Sequence, residues 1–224
     1  MALPAQLDGP RLPARSGTAR SLVVLLHGYG ADGNDLISLG EMWQDLLPDT
    51  AFVSPHAPHP CEQNPAGRQW FGLTRMNPAL LLDGAMRASE PLNAFLDVEL
   101  ARAGVAPTEL ALVGFSQGTM MSLYVGLRRP ALAAILGYSG LLIAAERLEA
   151  EIKVKPPVFL IHGDADMTVP VEASVSAVGA LGKVGVPAQF HLCEGLGHGI
   201  DQVGLTQGGR FLASALAGGP AQAR

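Results

Sequence analysis

Residues 114–118 read Gly114-Phe115-Ser116-Gln117-Gly118, a G-x-S-x-G pattern that few folds can accommodate. A serine flanked in this way sits on a tight turn between a buried strand and a helix. A Cβ two residues to either side would meet neighbouring backbone. The flanks agree with that geometry. Residues 109–113 form an apolar run of strand length, and 119–129 carry Met120, Leu123, Tyr124 and Leu127 at i, i+3, i+4 and i+7 ahead of Pro130. With 27 glycines and 11 serines in 224 residues, chance alone gives ~0.16 matches, so the pattern needs support from the rest of the chain. The bland alternative is a glycine-rich turn whose Ser116 only caps the helix.

Support comes from the order of elements. Residues 21–26 (SLVVLL) read as a strand buried on both faces, as parallel sheets require. A loop with three glycines follows (27–33), then a helix capped by Asn34 or Asp35 and running to Pro48. Further strands are expected at 51–53, 132–136, 157–161 and 188–193. Helices are expected at 80–103, with a kink or restart at Pro91 and a stop at Gly104, and at 146–151, 171–184 and 202–216. Residues 54–79 differ in kind: prolines, two histidines, Cys61 and the Trp70-Phe71 pair occur there without a sustained period, which marks an ordered functional loop. Strands alternating with helices predict an α/β architecture, one domain over 1–224, with a mostly parallel sheet covered on both faces. Residues 1–20 and 218–224 are expected to be loosely ordered, the former adding at most an edge strand.

Composition narrows the function. A net charge of −5 argues against a nucleic-acid partner, since phosphate binding draws on surplus Lys and Arg. Two cysteines, Cys61 and Cys193, give neither a disulfide framework nor metal-type spacing, so free thiols and no metal or other cofactor are expected. The apolar stretch 131–145 is interrupted and too short to span a membrane, and the first twenty residues lack an apolar signal core. A cytoplasmic location follows as the default.

The loops after the strands at 21–26, 109–113, 157–161 and 188–193 all carry His, Ser, Asp or Gly, at the end of the sheet where α/β proteins bind ligands. A nucleophilic serine needs a base, and the base needs an orienting acceptor. Ser116, Asp166 and His198 occur in that order, each in a loop after a strand. His198 lies between Gly197 and Gly199, whose small size lets its imidazole reach Ser116. Asp164 competes as the acid. It follows Gly163 closely and suits a turn-bonding role, whereas Asp166 lies deeper in the loop ahead of Val169-Pro170 and is favoured. Backbone N–H groups of Gln117 and of Tyr29, the latter between Gly28 and Gly30, suit an oxyanion hole. His27 and His162 read as structural hydrogen-bonders, and His56 and His59 as solvated loop residues. Trp70 and Phe71 divide evenly between loop anchors and substrate wall.

Together, His27-Gly28-Tyr29-Gly30-Ala31-Asp32-Gly33, Trp70-Phe71, the G-x-S-x-G stretch, His162-Gly163-Asp164 through Asp166 to Val169-Pro170, and Gly197-His198 resemble the carboxylesterase/phospholipase group of α/β-hydrolases, which includes acyl-protein thioesterases. The resemblance implies the α/β-hydrolase fold and a Ser116–His198–Asp166 triad, favouring Asp166 over Asp164. It also implies Tyr29 and Gln117 as oxyanion donors, and Trp70, Phe71 and Tyr29 at the substrate pocket. Tyr29 stands where the family often carries leucine, which changes the pocket wall but not the backbone role. The expected activity is serine carboxylesterase on a small-molecule ester, with acyl-protein thioesterase or lysophospholipase as the alternative and a homodimer as the implied assembly. A catalytically dead ligand binder is the rival outside enzymes, and the intact Ser116, Asp166 and His198 weigh against it.

Overall fold

Six consecutive buried residues, Ser21–Leu26, form the strand from which the central sheet grows in both directions. The computed structural model describes residues 7–73 and 77–217, so the expected loose ends at 1–6 and 218–224 lie outside the described residues. In chain order the strands are β1 (Arg11–Leu12), β2 (Ser21–Leu26), β3 (Thr50–Val53), β4 (His59–Pro60), β5 (Arg68–Gln69), β6 (Leu110–Phe115), β7 (Ala134–Tyr138), β8 (Val158–Gly163) and β9 (Ala188–Cys193). The helices are α1 (Gly33–Trp43), α2 (Pro78–Ala103), α3 (Gln117–Gly126), α4 (Leu148–Glu151), α5 (Glu172–Lys183) and α6 (Gln202–Leu216). Seven strands share one sheet in the order β1-β3-β2-β6-β7-β8-β9, parallel throughout except for β1 against β3.

Alternation along β2 divides its side chains between two cores. Leu22, Val24 and Leu26 join the layer that holds α2, α3 and α5, while Val23 and Leu25 face α1 and α6. Both faces of the sheet are therefore covered, as the apolar runs require. Each fully buried Leu or Val in these layers contributes roughly 1.5–3 kcal/mol, which favours burying the five apolar residues 22–26 as a central strand.

The structure corrects several boundaries. Asp32, not Asn34 or Asp35, caps α1: its side chain accepts the Asn34 N–H at 2.8 Å. α2 runs unbroken through Pro91, because Ala88, Leu92, Phe95 and Leu96 on either side of it are buried in one core. Asn77 caps its start and Gly104, at φ 68, its end. α3 begins directly at Gln117 and stops at Gly126, short of the expected 129. β7 starts two residues later than expected, at Ala134. The 54–79 stretch contains the small antiparallel pair β4–β5. Residues 7–20 carry specific pairing: Arg11 and Leu12 stand opposite Val53 and Phe52, and the Pro10 carbonyl accepts the Ser54 N–H at 3.0 Å.

The strand order reverses at β2. From it the chain steps outward to β3 on one side and, by way of α2, to β6 on the other. The carboxyl ends of β2 and β6 thus flank a topological switch point, the position where open α/β sheets bind ligands.

Candidate active site

Ser116 occupies that switch point. It leaves β6 with φ 54 and ψ −114, a conformation that side chains other than glycine rarely adopt. Surrounding contacts hold it there. The Ser116 N–H donates to the Tyr138 carbonyl at 2.9 Å, and the Thr119 hydroxyl lies 2.8 Å from both the Gly114 and Tyr138 carbonyls. The motif glycines are required by close approach: a Cβ on Gly118 would lie 1.7 Å from the Leu26 carbonyl oxygen, and one on Gly114 would lie 2.3 Å from the Gly118 carbonyl carbon. The residue before the serine, Phe115, packs against His198 with ring centroids 4.9 Å apart and the planes tilted by 47°.

His198 reaches the site from the loop after β9, and its Nδ1 lies 2.7 Å from Asp166 Oδ2. Facing a carboxylate, Nδ1 carries the proton and leaves Nε2 as the basic nitrogen. Asp166 comes from the loop after β8, its carboxylate fully buried. The Thr168 and Val169 N–H groups donate to its Oδ1 at 2.8 and 2.9 Å. Burial opposes ionisation, but the hydrogen bonds from His198, Val169 and Thr168 outweigh it and hold the carboxyl below the ordinary carboxylate range. Asp164 does something else: its Oδ1 accepts the Gly195 N–H at 2.7 Å, tying the two loops together.

Tyr29 lies in the loop after β2. The neighbouring Gly30 N–H donates to the Arg68 carbonyl (2.9 Å) and the Ala31 N–H to the Gly28 carbonyl (3.3 Å). Among the described residues neither the Tyr29 nor the Gln117 N–H finds a partner. Gln117 is the first residue of α3, where helix geometry leaves N–H groups unpaired and the dipole favours negative charge. Gly28 brings the two loops together, since a Cβ there would stand 3.4 Å from Ser116 Cβ. The Tyr29 hydroxyl is buried beside Cys61 without a well-formed hydrogen bond, and burial pushes the phenol up to about 12.

Trp70 and Phe71 are both buried. Phe71 lodges against α2, where a Cβ on Gly84 would meet its own Cβ at 2.6 Å. The same two residues, with Gly72, Leu80, Gly84 and Arg87, line a cavity of about 360 Å³. They are therefore anchors and cavity wall at once.

The Gln117 side-chain pairing went unread in the sequence, His162 is the structural hydrogen-bonder expected, and His56 departs from expectation. The Gln117 side chain is completely buried, its Oε1 accepting the Trp70 N–H at 3.0 Å while its Nε2 donates to the Phe71 carbonyl at 2.7 Å. His162 Nε2 stands 2.8 Å from the Val169 carbonyl and 3.2 Å from Asp166 Oδ2, with the Ser174 hydroxyl 2.7 Å from its Nδ1. Facing two oxygen acceptors, His162 Nε2 carries the proton, so this structural histidine also supports the carboxylate. His56 is not the solvated residue expected: its Nδ1 accepts the Gly33 N–H at 3.1 Å and so serves the start of α1. The Gln117 and His56 pairs join residues 23 to 47 positions apart, which no local pattern encodes, whereas the partners of His162 lie within 12 residues of it.

Cys61 and Cys193 are free, buried thiols. Among the described residues no cluster of His, Cys, Asp or Glu is arranged for a metal ion, and no helix is long and apolar enough to cross a membrane.

Comparison with known proteins agrees with this fold. Residues 8–216 match the phospholipase/carboxylesterase family. The esterase YpfH of Escherichia coli is 31% identical over 187 residues, covering 82% of this chain and 78% of its own. Acyl-protein thioesterase 1 of Saccharomyces cerevisiae is 27% identical over 185 residues, covering 76% and 81%. The crystal structure of esterase PE8 superposes with a TM-score of 0.91 at 52% identity, covering 95% of this chain and all of that one. With its α/β-hydrolase sheet, its serine elbow at the switch point and a family match over nearly its whole length, the chain belongs to the phospholipase/carboxylesterase family, serine hydrolases that act on esters.

Proposed function

We propose that the protein is a serine carboxylesterase that cleaves carboxylic esters through an acyl-enzyme on Ser116. The observation that carries this reading is the 2.7 Å contact between His198 Nδ1 and Asp166 Oδ2 beside the strained Ser116 turn. His198 Nε2 takes the Ser116 proton as Oγ attacks the ester carbonyl, and Asp166 stabilises the imidazolium that results. The tetrahedral oxyanion is received by the Tyr29 and Gln117 N–H groups, each such donor contributing about 10²–10³ in rate. Collapse expels the alcohol, which takes the proton from His198. Water then gives a proton to the same nitrogen as its oxygen attacks the acyl carbon, and collapse breaks the bond to Ser116 Oγ, which takes that proton back as the acid leaves.

The acyl chain lies along the wall formed by Trp70, Phe71 and Tyr29. The first substrate is a small ester in the cytoplasm, hydrolysed without metal or cofactor by a homodimer. A thioester or lysophospholipid is the second reading, favoured by the similarity to a protein named acyl-protein thioesterase 1. The test compares kcat/KM for p-nitrophenyl esters from acetate to palmitate with matched acyl thioesters. Esters turned over faster at equal chain length support the esterase reading. A uniform preference for thioesters would overturn it in favour of the alternative.

A further inference from the structure

We propose that residues 57–71 form a brace that fixes the spacing of the two oxyanion donors, with the buried Gln117 side chain as its positioning residue. This rests on the reading of the Tyr29 and Gln117 N–H groups as those donors. The donors belong to separate elements, the loop after β2 and the start of α3, and one segment grips both.

On the β2 side the grip falls on either flank of Tyr29. The Trp70 indole N–H donates to the His27 carbonyl at 3.0 Å, and the Ala57 N–H donates to His27 Nε2 at 3.0 Å. Beyond Tyr29, the Gly30 N–H donates to the Arg68 carbonyl (2.9 Å), the Arg68 N–H to the Ala31 carbonyl (2.7 Å) and the Asn64 amide to the Gly30 carbonyl (2.9 Å). The approach is so close that Gly67 has no room for a side chain: a Cβ there would lie 2.0 Å from the Gly30 oxygen.

On the α3 side the Gln117 amide uses both its ends, accepting from the Trp70 N–H and donating to the Phe71 carbonyl. Trp70 is where the two grips meet. The brace is itself stiffened, since the Arg68 guanidinium donates to the Ala57 and Pro58 carbonyls at 2.8 and 3.0 Å. Oxyanion donors help the reaction because they are oriented before charge develops. Loosening them weakens the transition state while leaving the bound ground state alone, so kcat falls and KM holds.

Three variants test this. Gln117→Glu keeps the acceptor for Trp70 and loses the donor to Phe71. Gly67→Ala pushes on the Gly30 carbonyl. Asn64→Ala removes one hydrogen bond at an exposed residue and leaves the core untouched. For each, kcat and KM on p-nitrophenyl butyrate are measured beside the inhibition constant of butylboronic acid. Its boron accepts Ser116 Oγ while His198 takes the proton, leaving a negatively charged tetrahedral adduct that mimics the transition state. We expect kcat and boronate affinity to fall together, about 10–100-fold for Gln117→Glu and Gly67→Ala and several-fold for Asn64→Ala, with KM within about twofold. Unchanged kcat and boronate affinity in Gln117→Glu and Asn64→Ala, or equal losses in KM and boronate affinity, would overturn the proposal. If the parent protein neither cleaves the ester nor binds the boronate, it is the esterase reading that fails.

Discussion

Ser116 at φ 54 is held in a conformation that costs of order 1–3 kcal/mol, and the hydrogen bonds of its neighbours keep it there. At the same scale, the choice between two aspartates is decided by what each carboxylate touches. Asp166 meets His198 Nδ1, whereas Asp164 meets a backbone N–H. Asp166→Asn is therefore expected to lower kcat by about 10⁴ through loss of the correct histidine tautomer. Asp164→Ala should cost about 1 kcal/mol of stability and leave kcat within a few-fold. Steady-state kinetics and urea midpoints on both variants check this, and reversed phenotypes would make Asp164 the acid. The sequence favoured Asp166 by its depth in the loop ahead of Val169-Pro170 and by its resemblance to the family pattern. The pairing itself depends on how the loops after β8 and β9 fold against each other, which no local pattern encodes.

His27 gives a prediction in pH. Its Nε2 accepts the Ala57 N–H, so the ring is neutral with the proton on Nδ1, and burial lowers it from 6.5 to about 4. The unfolded chain binds this proton at the ordinary value and the folded one resists it. The stabilisation is thus fully present above pH 6.5 and is lost as pH falls to about 4, amounting to roughly 3 kcal/mol. Urea midpoints of the parent between pH 7 and 4 should fall more steeply than those of His27→Gln. Parallel curves would contradict the assignment.

At the scale of elements, most strands and helices were legible because each carries a single clear period. β2, β9 and α6 match the expected spans residue for residue. The departures share a physical cause. Pro91 forfeits a helix hydrogen bond because it lies inside α2, but the helix continues because its buried residues on both sides of the proline face one core. The 54–79 stretch looked irregular because β4 and β5 are two residues each, too short for a period, and the position of residues 57–71 comes from contacts with the loop after β2 and with Gln117. Trp70 and Phe71 belong to that stretch and wall the cavity against α2. Removing the Phe71 ring is expected to flatten the rise of kcat/KM with acyl-chain length, where each desolvated methylene contributes ~0.8 kcal/mol. Profiles for Phe71→Ala and the parent over the ester series check this, and profiles merely displaced downward in parallel would restrict Phe71 to anchoring.

For the whole molecule, the sheet order determines where chemistry can occur. Reversal at β2 opens a crevice at the carboxyl ends of β2 and β6, and the loops after β8 and β9 reach it from the same end of the sheet. That arrangement was readable from the spacing of Ser116, Asp166 and His198 behind their strands, because a parallel sheet brings every strand's carboxyl end to one side. The seating of Trp70 and Phe71 against the loop after β2 and the start of α3 was not readable, since it depends on hydrogen bonds between residues more than forty positions apart. On the esterase reading, Ser116 carries the acyl group. Mixing the protein with p-nitrophenyl acetate, quenching within milliseconds and mapping the adduct by mass spectrometry tests it most directly. The predicted result is one acetyl group per chain, on the peptide containing Ser116, with a matching burst of p-nitrophenol that disappears in a folded Ser116→Ala variant. An acetyl group on another residue, or a burst that survives in Ser116→Ala, would contradict it.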